Sequence, residues 1–122
     1  MPITVLVVDD SKIMQEAILR FLAQETAIKV IGTASDFAQA VQMANDLKPQ
    51  VIVLDLHMPR GNSDGEIKPR LNGSRVLAMS LSNDDEAKAL AANVGAAVLL
   101  DKMNLFCELV PTIIQLASST SL

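Results

Sequence analysis

Five short apolar runs, rich in β-branched residues, alternate along the chain with segments whose apolar residues recur at helical spacing. This alternation predicts βαβ units and a parallel sheet. The predicted strands cover residues 3–8, 30–34, 51–54, 75–79 and 96–100. Three of them are almost continuously apolar, as is typical of strands covered by helices on both faces. The pattern therefore predicts a doubly wound α/β fold with a buried sheet.

Two amphipathic segments between the first three strands predict helices over about residues 11–24 and 36–47. Ser35 or Asp36 is the expected cap of the second helix. Each helix carries one apolar stripe that we expect to pack on the sheet. The first stripe consists of Ile13, Met14, Ala17, Ile18, Phe21 and Leu22. The second stripe consists of Phe37, Ala40, Val41, Ala44 and Leu47.

The last third of the chain contains two further helix signals. Asn83, with Glu86 three residues later, predicts a capping box, and Gly95 predicts a left-handed end to that helix. A final helix begins near residue 104 and contains Pro111, which removes a backbone hydrogen bond. We expect Pro111 to kink or split that helix.

The segment after Pro59 is rich in turn-forming residues and is interrupted by Pro69, so the helix expected there has one or two turns. With 122 residues, the chain has the size of a single domain. We predict one domain over residues 1–117 and a polar C-terminal tail over residues 118–122.

Composition and charge narrow the classes of function. The formal net charge is −4 and Lys and Arg form no cluster, which disfavours direct nucleic-acid binding. Trp and Tyr are absent, and the three phenylalanines fall at positions typical of a helix core. No apolar stretch approaches the roughly 20 residues of a membrane span, and the N-terminus lacks a signal-peptide pattern. Together with a single cysteine, Cys107, these features favour a cytoplasmic protein without membrane contact.

Polar residues follow four of the predicted strands. Asp9 and Asp10 follow the first strand, Asp55 the third and Ser80 the fourth, and Lys102 lies just beyond the fifth. Because ligands of open parallel sheets bind beyond the carboxyl ends of the strands, we expect these five side chains to converge on one pocket.

Three neighbouring carboxylates repel one another unless a cation compensates them, and Mg²⁺ is the natural candidate because it prefers oxygen ligands. A magnesium ion held by few carboxylates retains a position for a phosphoryl oxygen, which suits phosphoryl transfer. Asp55 is then the candidate nucleophile, and Lys102 supplies positive charge for the transferred oxygens. The hydroxyl of Ser80 can donate to a further phosphoryl oxygen and so report its presence.

Four short motifs carry a resemblance to a known family. They are Val-Val-Asp-Asp-Ser at 7–11, Val-Leu-Asp-Leu-His-Met-Pro at 53–59, Met-Ser at 79–80, and Gly-Ala at 95–96 leading to Lys102. In this order and after predicted strands, they resemble the receiver domains of two-component response regulators over nearly the whole chain. The resemblance implies a flavodoxin-like sheet with the strand order 2-1-3-4-5.

The resemblance also implies roles for the acidic residues. Asp55 would accept a phosphoryl group from a histidine of a sensor kinase or phosphotransfer protein. Asp10, Asp55 and the His57 backbone carbonyl would ligate Mg²⁺, and Asp9 would assist through water. The chain itself would then perform only self-phosphorylation and autodephosphorylation.

By the same resemblance, Ser80 and Lys102 would contact the phosphoryl group, and the changed surface would bind a downstream protein or an output domain. Residues 80–86 are most similar to receivers joined to helix-turn-helix DNA-binding domains. The chain is then either a stand-alone regulator or part of a longer one. A phosphorylation-dependent homodimer is compatible with both.

Two positions depart from the family pattern. Leu99 stands three residues before the lysine, where Tyr or Phe is usual, and Leu81 follows Ser80, where a small residue is common. These departures leave open a receiver-like module that signals without phosphate. An aspartyl-nucleophile phosphatase is a second alternative, disfavoured because His57, and not another acid, stands two residues after Asp55.

Simpler interpretations exist for single residues. Asp9 and Asp10 could merely cap the first helix. His57 could be a catalytic base or a zinc ligand, but the sequence offers no second soft ligand nearby. We therefore interpret His57 as a loop residue on the solvent side.

Overall fold

A computed structural model describes residues 2–57, 73–82 and 84–118. Within these ranges, five parallel strands lie in the order β2-β1-β3-β4-β5, as predicted. The strands are β1 Ile3–Val8, β2 Ile28–Ala34, β3 Val51–Asp55, β4 Arg75–Ser80 and β5 Val98–Asp101. The bounds of β1 are those predicted, and the other strands differ from their predictions by at most two residues at either end.

The helices of the described ranges are α1 Lys12–Ala23, α2 Phe37–Leu47, α3 Asp85–Asn93 and α4 Leu105–Ser118. The predicted short helix after Pro59 and residues 119–122 lie outside the described residues, and α4 ends at Ser118, the first residue of the predicted tail. In the part of the chain that is described, no helix has the length and apolar character needed to cross a membrane.

The cap of α2 agrees with its prediction, and the cap of α3 differs from its prediction. Asp36 caps α2, whereas α3 begins after Asp84, whose Oδ1 accepts the backbone N–H of Ala87 at 2.9 Å. The predicted cap at position 83 is therefore one residue early, which moves Glu86 out of the reciprocal position of a capping box. Gly95, with φ of 72°, forms the left-handed end of α3 as predicted.

Two apolar layers cover the sheet. Helices α2 and α3 pack on one face, and α1 and α4 pack on the other. The central strands β1 and β3 are buried on both sides from Val5 to Val8 and from Val51 to Asp55. This arrangement confirms the predicted buried sheet. The polar residues that could take part in chemistry lie at the strand ends.

Three apolar residues predicted in the core are substantially exposed. Ile13 is 83% exposed, Leu47 41% and Phe106 38%. Phe106 nevertheless keeps an edge-to-face contact with Phe21, with 5.0 Å between the ring centroids. Each of the three lies in the first or last turn of its helix. Helical periodicity shows which side of a helix faces the core, but it does not show how far the core extends along the helix axis.

The helix α4 runs through Pro111 without interruption, so the predicted split does not occur. Pro111 is exposed, and so is Cys107, whose carbonyl loses its helical partner to the proline. Water can satisfy a carbonyl on that side. Leu109 and Ile113 on either side of the proline are buried against the sheet, so both halves of the helix pack on the same apolar layer.

The outer strand β2 is irregular. Val5 and Leu6 of β1 pair with Val30 and Gly32, so Ile31 is an extra residue in the ladder. A side-chain Cβ at Gly32 would come within 2.5 Å of the Met43 methyl carbon. The glycine therefore leaves the space that Met43 of α2 occupies beside β2.

Candidate functional site

The five polar residues that the sequence predicts at one pocket lie at the carboxyl ends of four strands. Asp9 and Asp10 follow β1, Asp55 ends β3, Ser80 ends β4, and Lys102 follows β5. Asp9, Asp55 and Ser80 are buried, and Asp10 is exposed. Buried acids destabilise a fold unless they are paired or hydrogen-bonded, so the partners of these groups determine what the site can do.

The ammonium group of Lys102 lies between two carboxylates. Its Nζ is 3.3 Å from Asp9 Oδ2 and 3.4 Å from Asp55 Oδ1. Lys102 opens a short 3-10 turn, Lys102–Asn104, and Asp101 caps this turn by accepting the N–H of Met103 at 2.9 Å. Asp101 thus helps to set the direction in which Lys102 leaves the sheet, a role not predicted from the sequence.

The acidic residues form a cluster with an excess of negative charge. One carboxylate oxygen each from Asp9, Asp10 and Asp55 lies within 4.8 Å of the others. Burial raises the pKa of Asp9, the backbone N–H of Ser11 lowers it, and the negative charge of Asp55 raises it again, with a raised pKa as the net result. Three neighbouring carboxylates, of which Asp9 and Asp55 pair with one ammonium group, keep an excess of negative charge that a divalent cation with oxygen ligands would neutralise.

Neither Asp9 nor Asp10 is the cap of α1. Ser11 caps the helix by accepting the N–H of Met14 at 3.2 Å, and Asp9 Oδ1 accepts the N–H of Ser11 at 2.8 Å. The alternative in which the acid pair only caps the helix is therefore wrong, because Ser11 is the cap and the carboxylate of Asp9 pairs with Lys102.

The hydroxyl of Ser80 forms the other side of the pocket. Its Oγ accepts the backbone N–H of Ser82 at 3.2 Å and lies 2.8 Å from Nε2 of His57. The backbone N–H of His57 donates to Asp55 Oδ1 at 3.0 Å. His57 is exposed, as interpreted from the sequence, but its contact with the hydroxyl was not predicted because no spacing rule signals it.

Gln15 is a further residue of this region that was not predicted. Its side chain on α1 is 5% exposed, and Nε2 donates to the carbonyl oxygens of Asp9 at 2.6 Å and Ala34 at 3.2 Å. It also lies 3.4 Å from Ser35 Oγ. Gln15 thus ties the ends of β1 and β2 together under the acidic loop. The available signal was a polar residue three positions before Ile18, on the stripe that faces the sheet.

Comparison with known proteins decides the family. A sequence profile for the response regulator receiver domain matches residues 5–113, a range that includes all the site residues described above. The chain belongs to this family. Its fold and its acidic pocket at the ends of β1 and β3 are thereby placed among receiver domains of two-component systems.

The relatives of this receiver domain include two kinds of regulator. A protein-glutamate methylesterase/protein-glutamine glutaminase of Myxococcus xanthus is 38% identical over 108 residues, which are 84% of this chain and 30% of that protein. The nitrate/nitrite response regulator NarL of Escherichia coli is 30% identical over 98 residues, 78% of this chain and 45% of NarL. The chain thus spans less than half the length of these relatives.

A solved structure agrees with the family. The response regulator domain of Thermotoga maritima CheB superposes with a TM-score of 0.84 at 28% identity. The superposition covers 97% of this chain and 98% of that domain. The likeness therefore extends over the complete receiver fold.

The two departures from the family pattern occupy different surroundings in this receiver domain. Leu99 is half-buried, pairs in register with Ala78 and packs against the apolar layer that contains Ala91 and Val94. Leu81, beside the predicted phosphoryl-contacting hydroxyl, is 68% exposed. The side chain of Leu99, at the position where an aromatic residue is usual, thus packs beside α3 in this structure.

Proposed function

We propose that this receiver domain is a phosphorylation-controlled signalling switch with Asp55 as its phosphoacceptor. The observation that carries the proposal is the position of Lys102 Nζ, 3.3 Å from Asp9 Oδ2 and 3.4 Å from Asp55 Oδ1. This ammonium group fixes the Asp55 carboxylate and offers positive charge where phosphoryl oxygens would arrive. The proposed donor is a phosphohistidine of a sensor histidine kinase or of a phosphotransfer protein.

The chemical step is a transfer of the phosphoryl group from nitrogen to oxygen. A carboxylate oxygen of Asp55 attacks phosphorus, the P–N bond breaks, and the donor imidazole keeps the electron pair. Among the described contacts, the N–H of His57 and Nζ of Lys102 both lie on Oδ1, which supports Oδ2 as the attacking oxygen. Water later attacks phosphorus, breaks the P–O bond, and releases inorganic phosphate.

The donor set of the acidic cluster fits Mg²⁺. The proposed ligands are the carboxylates of Asp10 and Asp55 and the backbone carbonyl of His57, with Asp9 acting through water. When bound, the ion would supply positive charge for the phosphoryl oxygens. Lys102 and Ser80 would contact the two remaining sides of the group, through an ammonium and a hydroxyl.

The proposed outcome of phosphorylation is a change in what the domain binds. Added charge on Asp55 would bias two existing arrangements of the domain. The partner is a downstream protein or an output domain, and the named relatives suggest a protein-glutamate methylesterase or a NarL-type regulator as the output class. We also propose that the protein acts in the cytoplasm and that this domain neither contacts nucleic acid directly nor turns over other substrates. Homodimerisation is a second proposed outcome of phosphorylation.

The test is intact mass spectrometry after incubation with acetyl phosphate and Mg²⁺. We expect the wild-type protein to gain one phosphoryl group, and we expect neither the Asp55→Asn variant nor a metal-free sample to do so. If no adduct forms, beryllofluoride binding distinguishes a short-lived acyl phosphate from an inert pocket. Failure of both experiments would contradict the proposal and favour a module that signals without phosphate.

A further inference from the structure

His57 is the one histidine of the chain, and its ring contacts the hydroxyl of Ser80. Nε2 lies 2.8 Å from Oγ, and the ring belongs to an exposed residue whereas Ser80 is buried. The backbone N–H of His57 donates to Asp55 Oδ1 at 3.0 Å. One residue therefore contacts the proposed phosphoacceptor through its backbone and the proposed phosphoryl-contacting hydroxyl through its ring.

The hydrogen-bonding capacity of Ser80 limits what its hydroxyl can do. A hydroxyl has one proton to donate and two lone pairs with which to accept, and one lone pair takes the N–H of Ser82. If Nε2 of His57 is the acceptor, the single proton points at the ring and away from any phosphoryl oxygen. If Nε2 carries a proton, the ring occupies the second lone pair, and it restricts the hydroxyl by fixing the position of Oγ while the hydroxyl proton stays available. In both tautomers the ring holds Oγ in place.

We propose that His57 is a positioning residue that acts through Ser80. Its ring holds the hydroxyl in the arrangement of the unphosphorylated domain, and a phosphoryl oxygen on Asp55 replaces the ring as the partner of Oγ. No covalent bond changes in this exchange. Because His57 is exposed, its ring regains water as a partner when it is released. This proposal rests on the proposed phosphorylation of Asp55.

Two side-chain variants separate the ring contact from the backbone contacts, which both retain. We expect His57→Leu to tighten beryllofluoride binding in Mg²⁺ by about threefold to tenfold, the scale of one lost competing hydrogen bond. We expect His57→Gln, whose amide can pair with the hydroxyl, to stay within about twofold of wild type. Calorimetric titration measures both affinities. Weaker or unchanged binding by His57→Leu would overturn the proposal.

A Ser80→Ala background tests whether His57 acts through the hydroxyl. Without the hydroxyl there is nothing for the ring to hold, so we expect the leucine substitution at position 57 to leave beryllofluoride affinity unchanged in that background. An equal gain with and without the Ser80 hydroxyl would show that the side chain acts by another route, such as steric access, and would overturn the proposal.

The single imidazole also provides a direct signal in ¹⁵N NMR. Beryllofluoride with Mg²⁺ should move the Nε2 signal of the wild-type protein to its position in Ser80→Ala, where the ring has no hydroxyl partner. Mg²⁺ alone is the control for the charge of the ion near the His57 carbonyl. If beryllofluoride binds and the Nε2 signal stays at its Mg²⁺ position, this inference is wrong while the proposed function survives. If beryllofluoride does not bind and acetyl phosphate gives no adduct, both are wrong.

Discussion

The two sides of the pocket satisfy their buried polar groups in different ways. On the side of β1 and β5, Lys102 lies between Asp9 and Asp55, and the cluster retains an excess of negative charge. On the side of β4, the buried group is the uncharged hydroxyl of Ser80, and we call this the neutral side. Its Oγ is hydrogen-bonded to the backbone N–H of Ser82 and to the ring of His57. A cation would therefore relieve repulsion on the ionic side, whereas a phosphoryl oxygen would have to displace a partner already present on the neutral side.

The largest expected effect breaks the ionic side. Lys102→Met should slow phosphorylation by acetyl phosphate about 100-fold, equivalent to about 2.7 kcal/mol, because no ammonium group then compensates the phosphoryl oxygens. The initial rate of adduct formation, followed by intact mass, measures this loss. Lys88→Met, which removes an exposed lysine of α3, is the control. A loss as small as that of the control would refute the role of Lys102.

Below the ionic side, Gln15→Leu removes a buried donor from two strand ends. The carbonyl oxygens of Asp9 and Ala34 then lose this partner, and the free energy of unfolding should fall by about 2 kcal/mol. Urea denaturation measures the change. Gln42→Leu, at an exposed position of α2, should leave stability nearly unaltered. Equal stability of the two variants would mean that Gln15 is dispensable for the ends of β1 and β2.

Asp9→Asn should change the free energy of unfolding by less than Gln15→Leu, and should increase it. Since the pKa of Asp9 is raised, folding favours its neutral form, and the stability linked to that form is complete below pH 3.8 and lost as the pH rises through the raised pKa. In metal-free protein at pH 7, the neutral amide should increase the free energy of unfolding by about 1 kcal/mol, because it removes a buried negative charge and its repulsion from Asp55. At pH 3 the difference should shrink. Destabilisation at pH 7 would contradict this account.

The smallest expected effect lies at α3, next to the neutral side. The N–H of Ala87 lowers the pKa of Asp84, so the stability from this cap is present above pH 3.8 and lost as the pH falls through the lowered pKa. Asp84→Ala should reduce the Tm slightly at pH 7, and the reduction should fade in acid. Asp84→Asn, a neutral cap, should show a weaker pH dependence. A reduction that persists unchanged in acid would exclude the charge as its cause.

The positions of strands and of ionic site residues could be predicted from the sequence because both follow from strand periodicity. A buried parallel strand is an apolar run, and the first polar residue after it, such as Asp9 or Asp55, lies at the carboxyl edge of the sheet. Ser80 and Lys102 were predicted at the same edge in the same way, because they follow the fourth and the fifth predicted strands.

The contacts that complete the site could not be predicted in this way. The ring of His57 reaches Ser80 from the turn after β3, and Gln15 reaches carbonyl oxygens of two strand ends, so both contacts depend on three-dimensional distances. Similarly, the choice of Asp84 as the cap depends on the exact residue at which α3 starts, and the exposure of Ile13 depends on where the core ends along α1. Periodicity specifies the face of an element, but not its exact ends.

The extra residue in β2 has a consequence for aggregation. An outer strand presents backbone groups to which a strand of another molecule can add. In this chain the bulge at Ile31 breaks the regular spacing of those groups, and the exposed Lys29 would have to give up its hydration next to an added strand. Sheet extension between copies along this edge is thereby disfavoured.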